Sequence, residues 1–548
     1  MTGVTGERAR RYRESGLWND ELVVTPIRRQ FAEAAGRCAV VDGTRRIGYA
    51  ELGDAVGVAR DRLAGLGVRP GDRIAVALTN CAEYVVLVLA ALELGAAPVL
   101  ILPAFREHEL DHVVAVTEPV LLAVDATGRR TEALTVARRL RERHAGLKNL
   151  LVRGGETTGD EVDLALLCEP GGETPSEWKP AAAPSDPAVF LLSGGTTGLP
   201  KAIARTHEGY GCMIRHAITV NAMTRDAVNL VVMPAEHGFV MNCPGILGAL
   251  SVGATVVLSS PESPSGAFEI IERERVTHST LVPSVALRWS AEAKRTSRDL
   301  SSLRVLLVGG SRLAPGTADE LRTALGGTVQ QCYGMSEGLL CYTRLDDPDE
   351  VIRDTQGRPL LPEDEIRVVA ADGSDVEPGE EGELLTRGPY TVAGYYANPE
   401  ATAEAFTPDG FYRTGDLVRV DPGGNLAILG RLRDVINRGG EKISAEELEA
   451  MVLRHPSIAQ AAGVAMPHAV HGETVCLCVV PAAGAERPGL REVRKFLDGQ
   501  GLARYKFPEH LVVLDALPLT GTGKVDKAAL RRDVTGPPEP TMLSGARG

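Results

Sequence analysis

The sequence lacks an apolar run long enough to cross a membrane, and it has no Cys-x-x-Cys pair. Its most apolar stretch, residues 85–100, is interrupted by Glu93, which is typical of a buried helix followed by a strand. Cys476 and Cys478 stand inside an apolar run, which favours strand residues over metal ligands. Residues 1–15 carry Arg and Glu without an apolar core, unlike a signal peptide. Together these features predict a cytosolic protein with reduced thiols.

An excess of positive charge is also missing, since the formal net charge is -13. This disfavours nucleic acid and anionic membranes as partners. Aromatic residues make up only 4% of the chain, while the apolar content of 44% is ordinary for a globular protein. A chain of 548 residues is too long for one compact core, so we expect at least two domains.

A segment rich in glycine and hydroxyl side chains follows a predicted buried strand: residues 191–201 read LLSGGTTGLPK. Glycines let backbone N–H groups approach an anion, while hydroxyls and a lysine add donors and positive charge. A flexible surface loop is the simpler alternative. The P-loop pattern is not met, because Leu199 and Pro200 separate Gly198 from Lys201. The candidate phosphate-binding residues are Ser193, Gly194, Gly195, Thr196, Thr197, Gly198 and Lys201.

This segment resembles the phosphate-binding signature of the adenylate-forming superfamily, which includes acyl- and aryl-CoA ligases, luciferases and peptide-synthetase adenylation domains. Residues 204–207 read ARTH and most resemble the stand-alone aryl-acid branch, the 2,3-dihydroxybenzoate and salicylate AMP ligases. The resemblance extends from about residue 10 to 530, because several further motifs follow in the expected order. It implies an enzyme that uses ATP and Mg²⁺ to convert an aromatic carboxylic acid to an aryl-AMP.

The pattern of strands and helices predicts an α/β fold. Alternation from about residue 38 indicates parallel sheets wrapped by helices in a large N-terminal domain. From about residue 366 short strands with Gly, Pro and Asp turns, among them 394–396, predict a small β-rich subdomain. A small, mobile α+β domain is expected to follow. The predicted boundaries are an adenylation domain at 1–431, a hinge at 432–434 with Arg433 as pivot, a C-terminal domain at 435–530 and a disordered tail at 531–548.

Further motifs supply candidate nucleotide-binding residues, which by resemblance surround the adenine, the ribose and the phosphates. Asp416 resembles the ribose-binding carboxylate, and Arg431 is expected to assist at the ribose or phosphate, with a surface salt bridge as the alternative. Glu337 is expected to help hold Mg²⁺, because this ion prefers oxygen ligands. The remaining candidates in this group are Gly309, Gly310, Ser311, Tyr333, Gly334 and Ser336.

Three residues are candidate catalytic residues by resemblance. Lys524, in a loop rich in glycine and threonine, would bridge the substrate carboxylate and the α-phosphate as the acyl-adenylate forms. Lys442 belongs to a face of the small domain that the resemblance assigns to thioester formation. The third is His237, at the start of the segment that enters the acyl pocket.

The predicted acyl pocket departs from the pattern of the dihydroxybenzoate ligases. Gly238 stands in place of Asn, Phe239 in place of Tyr and Cys243 in place of Ser, so the pocket loses hydrogen-bonding groups and gains room. We therefore expect a larger or less hydroxylated aromatic acid, bicyclic or heteroaromatic. Gly238 cannot bind an α-ammonium group, which argues against an α-amino acid. The predicted pocket residues are His237, Gly238, Phe239, Cys243, Val308, Cys332 and Leu340.

The resemblance implies transfer of the aryl group to the phosphopantetheine thiol of a separate carrier protein, because no carrier domain is evident in this chain. An aryl-CoA ligase is the close alternative, since it differs only in the thiol acceptor. A non-catalytic nucleotide-binding homologue is an alternative of another class. Retention of Lys524, Glu337 and Asp416 argues against it.

Overall fold

The computed structural model describes most of the chain, apart from short internal gaps and the two ends. The described residues are 4, 6–128, 131–194, 199–260, 263–311, 313, 316–432, 435–482, 484–518 and 525–535. The chain divides into two compact units, of which the larger contains residues 1–193 and 200–432 and the smaller contains residues 194–199 and 433–548. The division falls within the segment predicted as a hinge, although Arg433 itself lies outside the described residues.

Regular elements run through both units. In the described residues the strands of the larger unit are β1 (Cys38–Asp42), β2 (Arg45–Gly48), β3 (Arg73–Ala77), β4 (Ala97–Leu100), β5 (Leu121–Asp125), β6 (Asn149–Arg153), β7 (Val162–Asp163), β8 (Pro187–Gly194), β9 (Pro200–Thr206), β10 (Val228–Val231), β11 (Thr255–Leu258), β12 (His278–Leu281), β13 (Val305–Gly309), β14 (Thr328–Gly334), β15 (Leu340–Tyr342), β16 (Arg358–Pro359), β17 (Glu365–Val369), β18 (Glu381–Arg387), β19 (Tyr412–Val420) and β20 (Leu426–Arg431). Those of the smaller unit are β21 (Val435–Arg438), β22 (Glu441–Ser444), β23 (Ile458–His468), β24 (Gly472–Pro481) and β25 (His510–Val513).

Helices alternate with these strands over most of the larger unit. Its described helices are α1 (Gly6–Glu14), α2 (Thr25–Glu33), α3 (Tyr49–Gly65), α4 (Ala82–Leu94), α5 (Glu107–Thr117), α6 (Thr131–Arg143), α7 (Leu164–Cys168), α8 (His207–Val220), α9 (Gly238–Asn242), α10 (Gly245–Ser251), α11 (Pro264–Glu274), α12 (Pro283–Ala293), α13 (Thr317–Leu325), α14 (Asp349–Asp354) and α15 (Pro399–Ala405). The smaller unit adds α16 (Ala445–Val452), α17 (Leu490–Gly499), a 3₁₀ turn (Arg504–Lys506) and α18 (Lys527–Thr535).

Two large sheets form the body of the larger unit. Among the described residues, one has nine strands in the order β16-β15-β14-β13-β12-β10-β11-β1-β2, and the other has seven in the order β7-β6-β5-β3-β4-β8-β9. The pairs from β1 through β11, β10, β12 and β13 to β14 are parallel, while the edge strands β2, β15 and β16 pair antiparallel. Helices bridge the parallel strands, because such strands need a crossover connection.

The buried interior explains why the parallel strands read as continuous apolar runs. Helix α4 is buried along almost its whole length and ends at Gly95, whose φ of 77° is the left-handed conformation that glycine adopts easily. On β13, Leu307 belongs to one hydrophobic cluster and Val308 to another. Neighbouring strand residues point to opposite faces, so the two faces of this sheet are covered by different cores.

The β-rich subdomain is an antiparallel sheet in the order β17-β18-β19-β20. Residues 394–396, predicted as a strand, are irregular instead, so that prediction was wrong. The aromatic pair in this stretch suggested a strand, but Tyr395 is buried and uses its hydroxyl in a side-chain hydrogen bond rather than its backbone in a sheet.

In the smaller unit, within its described residues, a five-stranded sheet packs with helices α16, α17 and α18. Cys476 and Cys478 lie buried in β24, as predicted. Helix α18 passes residue 530, where the small domain was predicted to end. The α/β class, the β-rich subdomain and a small α+β unit after them are confirmed.

Candidate active site

The carboxyl ends of β13 and β14 lie side by side, with Gly309 opposite Cys332. A Cβ atom at Gly309 would stand 2.6 Å from the Cys332 carbonyl oxygen and 2.8 Å from Cζ of Phe239. Only glycine therefore fits here, and the Phe239 ring lies directly against its backbone. The structure thus brings a predicted pocket residue and a predicted nucleotide-binding residue into contact at the strand ends, where open α/β sheets bind ligands.

A second contact joins β14 to the β-rich subdomain. The Tyr333 hydroxyl donates a 2.6 Å hydrogen bond to Oδ2 of Asp416, a carboxylate in a residue that is 3% exposed. The Thr414 hydroxyl accepts from the Asp416 backbone N–H at 3.0 Å. Asp416 is also the register partner of Arg431 across β19 and β20. Three residues predicted to meet a nucleotide thus occupy neighbouring positions.

Tyr395 connects three of the sequence motifs. Its hydroxyl donates to Oε1 of Glu337 at 2.9 Å and lies 3.3 Å from the hydroxyl of Tyr412. Nζ of Lys201 stands 4.7 Å from the centre of its ring, within the range of a cation–π contact. Burial and the nearby Glu337 charge raise the pKa of Tyr395 far above its ordinary value, so the hydroxyl stays protonated and donates. We call Lys201, Tyr333, Glu337, Tyr395 and Asp416 the polar corner.

The loop that carries Glu337 is held from behind by a buried arginine. Arg205 is 2% exposed, and its guanidinium donates to the carbonyl oxygens of Ser336 at 2.7 Å and Tyr390 at 2.9 Å. The Val392 N–H donates to the Glu337 carbonyl at 2.8 Å. Burial lowers the pKa of Arg205. These contacts fix the position of the Glu337 carboxylate before any ligand arrives.

Helix α9 forms one wall of the predicted acyl pocket. Nδ1 of His237 caps it by accepting a hydrogen bond from the Phe239 N–H at 3.1 Å. At the other end the Cys243 thiol points at the Gly238 carbonyl, 3.8 Å away. Burial raises the pKa of Cys243 to about 12, so its thiol is neutral. We call Gly238, Phe239, Asn242, Cys243 and Cys332 the apolar pocket, since sulfur and carbon atoms dominate it.

Two other predicted pocket residues have different surroundings. Leu340 is buried in the same hydrophobic cluster as Cys243 and Cys332, and it is the register partner of Gly334. Val308 lies in the cluster on the other face of its sheet, with Phe268 and Trp289. The structure therefore brings Leu340 to the predicted pocket but not the side chain of Val308.

The remaining predicted site residues divide into those that the structure describes and those that it does not. Ser193, Ser311 and Ser336 are partly exposed, Gly310 and Gly334 are exposed, and Gly194 ends β8. Lys442 lies in β22 of the smaller unit, opposite Asn437. Six predicted residues lie outside the described residues: Gly195, Thr196, Thr197, Gly198, Arg433 and Lys524.

No three His, Cys, Asp or Glu side chains in the described part of the chain come together in a way that could hold a metal ion. Nor does any helix there combine the length and the apolar character needed to cross a membrane.

Comparison with known proteins decides the family. The AMP-binding enzyme family matches residues 27–396, and the AMP-binding enzyme C-terminal domain matches residues 447–524. The chain belongs to the AMP-binding enzyme family. The predicted resemblance to the adenylate-forming superfamily is therefore confirmed, and adenylate-forming enzymes use ATP.

Relatives within this family are named for aryl-acid chemistry. A 2-hydroxy-7-methoxy-5-methyl-1-naphthoate–CoA ligase of Streptomyces carzinostaticus is 45% identical over 530 residues, covering 95% of each chain. A salicyl-AMP ligase/salicyl-S-ArCP synthetase of Mycobacterium tuberculosis is 44% identical over 97% of this chain and 94% of its own. The apo structure of Mycobacterium smegmatis MbtA matches with a TM-score of 0.74 at 42% identity, covering 97% and 98% of the two chains. This AMP-binding enzyme therefore groups with the aryl-acid AMP ligases, as predicted.

Sequence reasoning missed two residues of the polar corner and its support. Tyr395 was read as part of a strand, and Arg205 was noted only as part of a motif. A buried arginine beside the predicted phosphate segment, and a Tyr-Tyr pair between two motifs, were the available signals. Neither reveals its main partners, because Tyr395 donates to Glu337, 58 residues away in sequence, and Arg205 donates to Ser336 and Tyr390, 131 and 185 residues away.

Proposed function

We propose that this enzyme activates an aromatic carboxylic acid with ATP, forming an aryl-AMP and pyrophosphate, and then transfers the aryl group to a phosphopantetheine thiol of a separate carrier protein. The observation that carries the proposal is the contact of three motifs at Tyr395. That side chain touches Lys201 of the phosphate segment, the Glu337 carboxylate and the Tyr412 hydroxyl.

Each part of the polar corner has a role in this proposal. Asp416 accepts the two hydroxyls of the ribose, and Tyr333 holds its carboxylate at 2.6 Å. Gly309, Gly310, Ser311 and Gly334 present backbone to the adenine. Lys201 supplies positive charge to the phosphates, together with the glycine and hydroxyl groups of residues 193–198. Because the carboxylates of Asp416 and Glu337 are held in place beforehand by Tyr333 and Tyr395, little reorganisation of these groups is needed when charge develops at the α-phosphate.

Glu337 suits a magnesium ion. Its residue is 5% exposed, one of its oxygens accepts from Tyr395, and carboxylate oxygens are ligands that Mg²⁺ prefers. A single protein carboxylate is enough, because Mg²⁺ in such sites is held largely by substrate phosphates and water. When bound there, the ion would neutralise charge on the phosphates. Glu337 orients it, and Arg205 keeps the Glu337 loop in place.

Residues of the smaller unit also have roles in the proposed reaction. Lys524 bridges the substrate carboxylate and the α-phosphate in the first step, and Lys442 acts in thioester formation. Arg433 is the pivot between the adenylation domain and the C-terminal domain, within residues 432–434. His237 shapes the mouth of the apolar pocket through its cap on α9.

The aromatic acid is proposed to be bicyclic or heteroaromatic. Support comes from the apolar and small residues at positions 238, 239 and 243, which offer few hydrogen-bonding groups, and from the name of the Streptomyces carzinostaticus relative, a naphthoate ligase. The same name supports a second candidate function, transfer to CoA. The name of the Mycobacterium tuberculosis relative, a salicyl-S-ArCP synthetase, supports transfer to a carrier protein.

Acid-dependent exchange of pyrophosphate into ATP tests the first step, using a panel of mono- and bicyclic aromatic acids. Exchange with at least one acid is expected. No exchange with any acid would favour the non-catalytic nucleotide-binding alternative. Supplying radiolabelled acid with either a phosphopantetheinylated carrier protein or free CoA then separates the two acceptors, and labelling of CoA alone would replace the carrier-protein reading.

A further inference from the structure

Helix α1 and the residues that follow it, together 6–24, form a segment that we call the N-terminal segment. Trp18 in this segment is 4% exposed, and its indole Nε1–H donates a 2.8 Å hydrogen bond to the carbonyl oxygen of Pro389, 371 residues away. The ring of Tyr12 packs edge-on against Trp18, with the ring centres 5.2 Å apart. A buried tryptophan that gives its N–H to one carbonyl fixes the position of that carbonyl as well as filling space. The contact therefore constrains the chain around Pro389.

The carbonyl that the indole holds belongs to the loop at residues 388–392, which supports Glu337. The next carbonyl of this loop, that of Tyr390, accepts from the Arg205 guanidinium at 2.9 Å. Two residues later, the Val392 N–H donates to the Glu337 carbonyl at 2.8 Å. Side chains thus hold two successive carbonyls of the loop, and its backbone in turn holds Glu337. A displacement of the first carbonyl would reach Glu337 through a short stretch of backbone.

The N-terminal segment also contacts the start of helix α8, directly after Arg205. The Arg13 guanidinium donates to both oxygens of the Glu208 carboxylate, at 2.7 and 3.0 Å, and Glu208 is 3% exposed. The same guanidinium lies 5.3 Å from the centre of the Trp18 ring, within the range of a cation–π contact. Arg205, three residues before Glu208, donates to the Ser336 carbonyl at 2.7 Å. The N-terminal segment is thus tied to both of the elements that hold the candidate magnesium ligand.

We propose that Trp18 is a positioning residue for the candidate magnesium ligand: its indole N–H fixes the Pro389 carbonyl, and the loop at 388–392 carries that constraint to Glu337. Hydrogen bonds behind a metal ligand are known to tune metal affinity by orienting the ligand. The proposal rests on the proposed function, since it assumes that Glu337 binds Mg²⁺ together with the nucleotide phosphates. It gives the N-terminal segment a part in nucleotide binding in addition to its part in the fold.

The coupling between metal and nucleotide measures this role and needs no turnover. Calorimetry gives the Kd of α,β-methylene-ATP, which cannot be cleaved between its α- and β-phosphates, first with excess Mg²⁺ and then with EDTA. The ratio of the Kd in EDTA to the Kd in Mg²⁺ expresses the coupling. Binding of Mg²⁺ to the free nucleotide is the same for every variant, so a change in this ratio comes from the protein. A general loss of stability lowers both affinities together and leaves the ratio unchanged.

Trp18→Phe keeps a buried ring but removes the N–H, so it should lower the ratio by about 3–10-fold, the worth of one hydrogen bond. Glu337→Gln, which removes the proposed ligand charge, should lower the ratio at least as much. Trp178→Phe is the matched control. The Trp178 indole also donates to a backbone carbonyl, that of Glu93 at 3.0 Å, and Cζ of Arg28 lies 4.6 Å from its ring centre. The ratio for this control should equal that of wild type.

A second variant disturbs the same carbonyl without changing the indole. A Cβ atom at Gly209 would stand 3.3 Å from the Pro389 carbonyl oxygen and 3.2 Å from Oγ1 of Thr206, both closer than ordinary contact. Gly209→Ala should therefore displace that carbonyl slightly and lower the ratio by about 2–3-fold. Gly211→Ala is its control in the same helix, because the nearest atom to a Cβ there is the flexible end of the Arg215 side chain at 3.3 Å. Its ratio should stay at the wild-type value.

The outcomes separate this inference from the proposed function. A wild-type ratio in Trp18→Phe beside a lowered ratio in Glu337→Gln would make Trp18 a purely structural residue and overturn this inference alone. An equal fall in Trp178→Phe would overturn it too, because the effect would not depend on the Pro389 carbonyl. If Trp18→Phe does not fold, Gly209→Ala decides in the same way. A wild-type ratio in Glu337→Gln itself would remove the proposed magnesium role of Glu337 and this inference together.

Discussion

The polar corner and the apolar pocket treat their polar groups in opposite ways. In the polar corner, the hydroxyls of Tyr333 and Tyr395 both donate to carboxylates, so the acidic groups are held in place by the chain itself. In the apolar pocket, Oδ1 of Asn242 has no partner among the described residues. The first arrangement prepares a fixed charge pattern, which suits one unchanging ligand. The second leaves a buried acceptor that the side chains of the described residues do not satisfy, so this region is held by apolar packing rather than by hydrogen bonds.

The largest effect is expected from removing the positive charge of Lys524, which the smaller unit is proposed to supply to the reaction. Lys524→Ala should reduce pyrophosphate exchange by about 10²–10³-fold or more, because the charge developing at the α-phosphate loses its counter-charge. Nucleotide affinity, measured by calorimetry, should change little.

Lys495→Ala is the matched control, since Lys495 is an exposed lysine of helix α17 in the same unit. Near-normal exchange in Lys524→Ala would remove Lys524 from the mechanism. Equal losses in both variants would point to general destabilisation instead.

Low pH should lower the stability of the protein through His207. This prediction tests the packing of the helix that carries Met213 rather than the chemistry of the site. His207 begins α8, the helix of Met213, and its Nδ1 accepts from the Val23 N–H at 3.2 Å. Burial lowers its pKa to about 4. As the pH falls below 6.5, His207 becomes protonated in the unfolded protein but stays neutral in the folded protein. The free energy of unfolding therefore falls between pH 6.5 and 4 and then levels off. The loss from this residue should be about 3 kcal/mol.

Urea unfolding at pH 7, 5.5 and 4 measures this, with His207→Gln as the comparison because glutamine can still accept a hydrogen bond and does not titrate. The variant should lose less stability than wild type over the same range. Identical pH dependence of the two proteins would show that His207 does not contribute.

Removing the Asp416 carboxylate should impair the use of ATP and leave the affinity for the aromatic acid nearly unchanged. Asp416→Asn keeps the size but halves the accepting capacity and removes the charge, so kcat/KM for ATP should fall by about 10–100-fold. The KM for the aromatic acid should stay within about 3-fold. Tyr333→Phe removes only the supporting hydroxyl and should cost less. A larger effect on the acid than on ATP would place Asp416 elsewhere in the mechanism.

The smallest effect is expected where the two regions touch. Gly309→Ala would place a methyl group 2.6 Å from the Cys332 carbonyl oxygen and 2.8 Å from the Phe239 ring, so both the strand backbone and the ring must shift. The KM for both ATP and the acid should rise, by about 10-fold. Gly65→Ala, at the end of α3 where a Cβ meets nothing within 4 Å, should leave kinetics unchanged. A change in only one of the two KM values would show that the regions are independent.

Much of the site could be read from local sequence. The strands before Gly309, before Gly334 and before the phosphate segment were recognisable because a buried parallel strand is a short apolar run that ends in glycine or polar residues. The motif with Glu337 was placed at such an end, whereas Asp416 was identified by resemblance alone, and both residues do meet neighbouring groups in the polar corner. Tyr395 and Asn242 were not predicted, since nothing in their immediate sequence indicates a partner.

The sequence by itself determined the family, the α/β class and the chemical groups available, because these follow from local periodicity and from short motifs. Tertiary structure alone decided which of those groups meet. Tyr333 reaches Asp416 across 83 residues of chain, and the Phe239 ring lies against the backbone of Gly309, which is distant from it in sequence. The physical reason is that contacts between distant residues depend on how strands and helices pack, and local pattern carries no information about that packing.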